Sequence, residues 1–288
     1  MKSSTKESVY IIIPVHNRKR VTLDCLNHLQ SNGDLKRYSI VVIDDGSVDG
    51  THEAINQLYP NVTVLTGSGD LWWTGAIRYG MEYAYSQGAE YFIWLNDDCL
   101  PEPNSLQYLI DFLVKYPKSI GAPACYLSDK QVAVENGCLG RTRLTAPPGE
   151  IIRVDSVAGY CVGLPRTIVD SIGLPNDQLF PHYGGDDMYI LKATRHKFTA
   201  YVLGSSKVSL ADMNQQTHSF YSYVKQRFTD SLSIQDIFAS RRSRYNLLTQ
   251  FLYYYEKYGF LGVLIFIAKF WAWVTQYCLI QFQICVLK

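Results

Sequence analysis

Val41-Val42-Ile43-Asp44-Asp45-Gly46-Ser47 and Tyr91-Phe92-Ile93-Trp94-Leu95-Asn96-Asp97-Asp98 decide the fold. In each, a short apolar, β-rich run stops abruptly at carboxylates. A strand buried on both faces of a parallel sheet reads as a continuous apolar run. Open α/β sheets bind ligands in the crevice beyond the carboxyl ends of their strands. Two strand ends therefore deliver acidic groups to one crevice. Hard divalent cations prefer oxygen ligands and bridge substrate phosphates, so the grouping suits Mg²⁺ or Mn²⁺ with a nucleoside diphosphate.

Outward from these runs, strand and helix alternate at short spacing. Val9 to Ile13 predicts a first strand stopped by Pro14, then a helix with Val21, Cys25, Leu26 and Leu29 on one face. Ser39 to Ile43 is a second strand. Asp49-Gly50-Thr51 offers the cap of a helix whose inner face is Ala54, Ile55 and Leu58. Val62 to Leu65 is a third strand, and a Gly-rich turn carries Asp70-Leu71-Trp72-Trp73 before helical spacing resumes at Ala76, Ile77, Gly80, Met81 and Ala84. The pattern loosens after Tyr116. Ile120 to Leu127, Val157 to Leu164 and Phe198 to Leu203 read as strands, with the polar stretch Ser128 to Ser156 as a hairpin or flexible excursion over the site. Pro165 opens a short helix closed by Gly173, and a loop from Phe180 enters another helix at Asp187. The expectation is an α/β fold: a Rossmann-like, mostly parallel sheet flanked by helices, with a C-terminal helical tail.

The 288 residues carry a formal net charge of +1, which gives no global case for nucleic-acid binding. From Met213 onward there are eight basic residues against three acidic ones, so a basic, aromatic tail follows a mildly acidic body. Such a tail suits an anionic membrane surface. Seven cysteines without a C-x-x-C pair read as reduced thiols in a cytosol, and the run Val9 to Ile13 is too short for a signal peptide.

Four motifs in order resemble family 2 nucleotide-sugar glycosyltransferases of the GT-A fold: Pro14-Val15-His16-Asn17-Arg18, Asp44-Asp45-Gly46-Ser47-Val48-Asp49-Gly50-Thr51, Asn96-Asp97-Asp98 and Gly184-Gly185-Asp186-Asp187. The third stands where the family has D-x-D and the fourth where it has E-D. Asn96 and Asp186 depart from those patterns. The resemblance implies a GT-A catalytic domain over 1–212, with a nucleotide-sugar half (1–116) and an acceptor and base half (117–212), followed by a membrane-associating segment (213–288). It implies an inverting, metal-dependent transferase. Asp98 would hold the cation, with Asp97 in support. Asp187 would be the base, with Asp186 its neighbour or an acceptor ligand. Pro14, His16, Asn17, Arg18, Asp44, Asp45, Gly46, Asp70, Trp73, Asn96 and Asp97 would face the donor.

A Lewis acid at Asp98 would stabilise the departing diphosphate, and a carboxylate opposite it would take the acceptor proton. Asp44 or Asp45 can accept from base or ribose, and Arg18 can reach a base or phosphate. Adjacent Trp72 and Trp73 cannot both face one core, so at least one points to the crevice, where indoles stack on sugars. The stretch Leu71-Trp72-Trp73-Thr74-Gly75-Ala76 is similar to one in a rhamnosyltransferase-like subset, which makes dTDP-rhamnose the favoured donor over a UDP-linked sugar. His182 is placed with the sugar or acceptor and His218 as a second metal ligand.

The expected acceptor is a cell-surface glycan or lipid-linked hydroxyl. From Gly259 on, Lys269, Gln276 and Gln283 recur every seven residues as one polar stripe. The clean run Phe260 to Ala268 is short for a span. Trp271, Trp273 and Tyr277 favour the headgroup zone. The preferred reading is an in-plane helix on the cytoplasmic leaflet. Packing in a homodimer comes second, and a tilted span third. A sugar-nucleotide-forming nucleotidyltransferase and a non-catalytic carbohydrate-binding module remain as alternative functions.

Overall fold

Ile11 and Ile13 point to one face of the sheet and Ile12 to the other, and all three are fully buried. A strand this apolar on both faces must sit between two helical layers. The computed structural model describes residues 8–127, 132–210, 219–227, 233–241 and 243–286. It begins with β1 (Val9–Val15), α1 (Lys19–Ser31), the short α2 (Asp34–Arg37), β2 (Ser39–Asp44), α3 (Thr51–Leu58), β3 (Thr63–Thr66), α4 (Trp72–Ser86) and β4 (Tyr91–Leu95). A short β5 (Cys99–Pro101) and α5 (Ser105–Lys115) lead to β6 (Ser119–Leu127). Short strands follow: β7 (Val132–Val134), β8 (Gly137–Leu139), β9 (Thr142–Leu144), β10 (Ile151–Val154), β11 (Ser156–Val157) and β12 (Cys161–Pro165). Then come α6 (Arg166–Ile172), α7 (Gly185–Arg195), β13 (Thr199–Leu210), α8 (Phe220–Arg227), α9 (Ile234–Phe238), α10 (Leu247–Tyr258) and α11 (Phe260–Val286).

The main sheet runs β10-β13-β6-β12-β4-β1-β2-β3, with β5 added to β13 and β7 to β6. Pairing is parallel from β3 through β2 and β1 to β4, and again between β13 and β6. β12 lies antiparallel to both its neighbours, so the first half is parallel, as expected, and the second is mixed. A separate sheet, β11-β8-β9, is built from the polar excursion. One helical layer packs Ile77 and Met81 of α4 and Ile190 of α7 onto Ile12, Ile43 and Trp94. The other packs Leu26 and Leu29 of α1 and Leu109 and Leu113 of α5 onto Ile11, Ile13 and Ile93.

Several expectations are corrected. β1 continues through Pro14, because pairing with β4 ends at Ile12 and the missing amide leaves no ladder bond broken there. α4 starts at Trp72, so both tryptophans occupy a helix's first turn. Leu58 is exposed. Helix α5 lies where no helix was expected, although Leu106, Leu109, Ile110 and Leu113 form a buried stripe. Val157 to Leu164 is broken at 158–160, and the late strand runs on to Leu210.

The tail folds onto itself. Trp273 and Ile280 of α11 are buried against Phe220, Val224, Ile237, Phe238 and Tyr245. Trp273 is thus a packing residue, not one facing the headgroup zone. Gly262 lets α11 pass directly beneath the Tyr254 carbonyl of α10. The α11 helix is unbroken through Lys269, so length no longer excludes a span: Phe260–Phe282 is long and apolar enough to cross a membrane, with mean hydropathy 1.7.

Gly80 is where α4 meets the sheet: an added Cβ would strike Ile12 and come 2.6 Å from Ile43 Cδ1. Gly80→Val should lower unfolding free energy by about 1–3 kcal/mol through overpacking, measured by urea denaturation. An unchanged midpoint would contradict this packing.

Candidate active site

Parallel β1, β2 and β4 bring three loops to one edge of the sheet. Asn17, with φ 51°, stitches two of them: its amide donates to Ser47 Oγ (2.8 Å) and its Oδ1 accepts from the Val48 amide (2.7 Å). Asp44 Oδ1 accepts from the Ser47 amide (2.9 Å). Asp45 does the most. Its Oδ1 accepts from the Gly69 amide (2.7 Å), and its Oδ2 from the Leu71 (2.9 Å) and Trp72 (3.1 Å) amides. A carboxylate there satisfies orphan donors at the start of α4 and faces the positive end of its dipole. Gly46, with φ 70°, packs so close to Gly69 that a Cβ would sit 3.0 Å from its Cα. The loop holds Trp72 at φ 59°, a left-handed conformation rare for a bulky side chain and commonest where a site demands it.

Trp72 and Trp73 line a cavity of about 280 Å³ with Pro14, His16, Arg18 and Asp45. Arg18 bridges two carboxylates: Nη1 is 3.0 Å from Asp97 Oδ1, and Nη2 donates to Asp98 Oδ2 (2.9 Å). Asp97 is buried and also accepts from Thr22 Oγ1 (2.9 Å). Burial pushes its carboxyl up to about 6, with Arg18 and Thr22 opposing. The Asp98 side chain remains one-third exposed at 34%.

Among the described residues no three of His, Cys, Asp and Glu gather in a metal-binding group. Asp98 therefore offers one carboxylate. That donor set fits a cation of the Mg²⁺ type, which is commonly held by one or two carboxylates and completed by substrate phosphates.

Across Trp73 lies a second cavity, of about 420 Å³, sharing Trp73 and His182 with the first. Trp73 Nε1 donates to Asn96 Oδ1 (2.7 Å), and its ring stands edge-on to Trp94 at 5.6 Å. Asp186 and Asp187 face this cavity from the first turn of α7. Asp186 Oδ2 accepts from the Gly159 amide (2.7 Å). Burial, and then the neighbouring Asp187, push the Asp186 carboxyl up. Asp187 Oδ2 accepts from Tyr253 Oη (2.8 Å), with Lys257 Nζ 3.7 Å away. Lys257 Nζ also donates to Tyr253 Oη (3.1 Å). Burial works against the Lys257 charge, but Asp187 together with Cys138 and Tyr258 raises the ammonium pKa. His182 lies 5.5 Å from the Trp72 ring. Burial, and then Arg244, lower its pKa, and its buried Nδ1 meets no partner among the described residues.

The structure thus gathers Pro14, His16, Arg18, Asp45, Trp72, Trp73 and His182 at one cavity, and Asn96, Asp186 and Asp187 at the next. Asn17, Asp44 and Gly46 instead brace loops. Asp97 is turned inward to Thr22 and Arg18, and Asp70 bonds the Trp72 indole (2.8 Å) with Arg241 3.6 Å away. His218 lies outside the described residues. Sequence reasoning missed Tyr253, Lys257 and Arg143: Tyr253 and Arg143 line the second cavity, and Lys257 contacts Tyr253 and Asp187. Tyr253 and Lys257 stand one helical turn apart on α10, a spacing that sequence shows but whose target it does not.

Residues 10–143 match the Glycosyl transferase family 2 sequence model, a stretch just under half the chain. Over 109 residues the chain is 34% identical to Glycosyltransferase AglE of Haloferax volcanii, covering 36% of this chain and 35% of that protein. The chain therefore spans about a third of the length of that curated relative. Two solved structures share the fold. Mannosyltransferase PcManGT from Pyrobaculum calidifontis, in complex with GDP-Man and Mn²⁺, superposes at TM-score 0.58 and 13% identity over 98% of this chain and 81% of its own. GalNAc-T7 with UDP, GalNAc and Mn²⁺ superposes at TM-score 0.60 and 17% identity over 72% of this chain and 44% of its own. The fold is GT-A, the architecture of these glycosyltransferases.

The two acidic clusters should behave differently on truncation. Asp45→Ala removes three bonds to the start of α4 and should cost about 1–3 kcal/mol. Asp98→Ala, at a half-open ion pair, should stay within about 1 kcal/mol. Denaturation of both variants measures this, and equal losses would overturn the division of labour.

Proposed function

We propose that the protein is a glycosyltransferase that moves a sugar from a nucleoside diphosphate to an acceptor hydroxyl with inversion. One observation carries this reading: Arg18, which holds the part-exposed Asp98 carboxylate, lines one cavity, the carboxylate pair Asp186 and Asp187 lines another, and the two cavities meet at Trp73 and His182. The loops around Asp45 and the Trp72 ring form the donor crevice. Arg18 turns from Asp98 toward the diphosphate. A divalent cation at Asp98 would supply the Lewis acidity that offsets charge on the leaving diphosphate.

The acceptor enters the larger cavity, with its hydroxyl at Asp187. Tyr253 and Lys257 hold one oxygen of that carboxylate, leaving Oδ1 to take the proton. Asp186, tied to the Gly159 amide, orients the acceptor beside it. The departing diphosphate and the entering hydroxyl thus lie on opposite sides of the sugar, which is the geometry of inversion. Neither rival function needs this arrangement. A nucleotidyltransferase has no use for a base on the acceptor side, and a binding module has no use for Lys257 beside Asp187.

The Leu71-Trp72-Trp73-Thr74-Gly75-Ala76 resemblance favours dTDP-rhamnose as donor. A panel of nucleotide sugars with Mn²⁺, read as sugar transfer, tests the activity and the donor together. Transfer from none of them would sink the proposal. Tyr253→Phe and Lys257→Met should each lower kcat about 10–100-fold, as losses of residues that orient a reacting group typically do, with nucleotide affinity unchanged. Unaltered kcat would remove both from the base's support.

The tail supports attachment to the cytoplasmic leaflet. Phe260, Leu261, Leu264, Ile267, Trp271, Leu279 and Phe282 form an exposed apolar face on α11. The opposite face packs on the protein. A helix committed to its own body along its middle suits lying in the interface better than crossing it. Ile267→Glu with Trp271→Glu should abolish co-flotation with anionic vesicles. Equal flotation of variant and parent would refute attachment through this face.

A further inference from the structure

We propose that the acceptor is anionic, and that Arg143 of β9 and Arg244 at the entry to α10 bind its phosphate or carboxylate group beside the accepting hydroxyl. This rests on the reading of the larger cavity as the acceptor side. Both residues line that cavity. Among the described residues, neither guanidinium has a carboxylate within ion-pair distance, whereas Arg18, Arg78, Arg166, Arg195 and Arg241 each do. The charge on Asp187 is already answered by Lys257. The two arginines, Arg143 exposed and Arg244 half-buried, are therefore unanswered positive charges on the lining of the cavity.

Both share the lining of the cavity with Asp186 and Asp187. Arg244 lies 5.1 Å over the Tyr183 ring and acts on His182. Arg143 acts on Tyr160 and on Tyr253, the residue bonded to Asp187. A group held by them would occupy the same cavity as the carboxylates that would receive the hydroxyl. Guanidinium forks match phosphate and carboxylate oxygens bidentately. His182, which also lines this cavity, keeps a buried Nδ1 that meets no partner among the described residues. Aromatic rings at 160, 183 and 254 offer faces for the sugar itself.

The test measures binding by calorimetry on the full chain, so its result does not depend on turnover. Three ligands share one hexose: a neutral methyl glycoside, a glycosyl phosphate and a methyl glycosiduronate. We expect at least one anionic ligand to bind about tenfold or more tightly than the neutral one, and which of the two does so separates a phosphate source from a uronate source. Arg143→Gln and Arg244→Gln should each remove most of that preference while leaving the neutral ligand and nucleoside diphosphate within about twofold. Arg141→Gln, an exposed arginine outside the cavity, should change nothing. Equal affinity for all three ligands, or a preference that survives both substitutions, would overturn the inference. An anion preference that depends on both arginines, without transfer to any acceptor, would instead leave the site standing and overturn the transferase reading.

Discussion

Gly159 sets the distance between the two halves of the site. Its amide donates to Asp186, and its missing Cβ leaves room for the Trp73 ring, which a side chain would meet at 2.6 Å. Trp73 belongs to the helix capped by Asp45 at the donor edge, and Asp186 opens the helix that faces the acceptor. A residue with any side chain at 159 would push these apart. Near-attack geometry tolerates little of that, because reacting atoms must approach to about 3–3.5 Å. The break in the sheet at 158–160 is thus a spacer: β11 ends, the chain passes under the indole, and β12 resumes as the antiparallel strand joining the two halves.

The C-terminal helices are part of the same machine. α10 lends Tyr253 and Lys257 to Asp187, and α11 is pressed against α10 at Gly262. Asp187, the proposed base, is therefore fixed by a helix that the rest of the tail holds in place. On the proposed membrane reading, seating of the tail and orientation of Asp187 would share the contact at Gly262.

Much of this was legible in the chain. The runs before Asp44 and Asn96 announced parallel strands because burial on both faces leaves no room for polar residues. The carboxylates after them announced a crevice. What sequence did not show was division of labour within each pair. Asp44, Asp45, Asp97 and Asp98 are the same residue type at matching places. Only folded distances show Asp45 spent on three amides, Asp97 turned inward and Asp98 left open. The helix at 105–115 was readable from its apolar spacing but was masked by the polar turn before it. The mixed half of the sheet was only partly readable: β7 to β11 are two to four residues long, β8 and β9 form a local hairpin, but β10 pairs with β13 some fifty residues on. Tyr253 and Lys257 sit some seventy residues from Asp187, and no local pattern connects them.

The most direct measurement is a crystal structure of the full chain with a nucleoside diphosphate and Mn²⁺, the ion located by its anomalous scattering. The account places Mn²⁺ on Asp98 and the diphosphate, with Arg18 released from Asp98 and turned onto a phosphate. Saturating nucleotide with the Arg18–Asp98 pair intact and no ion at Asp98 would contradict it.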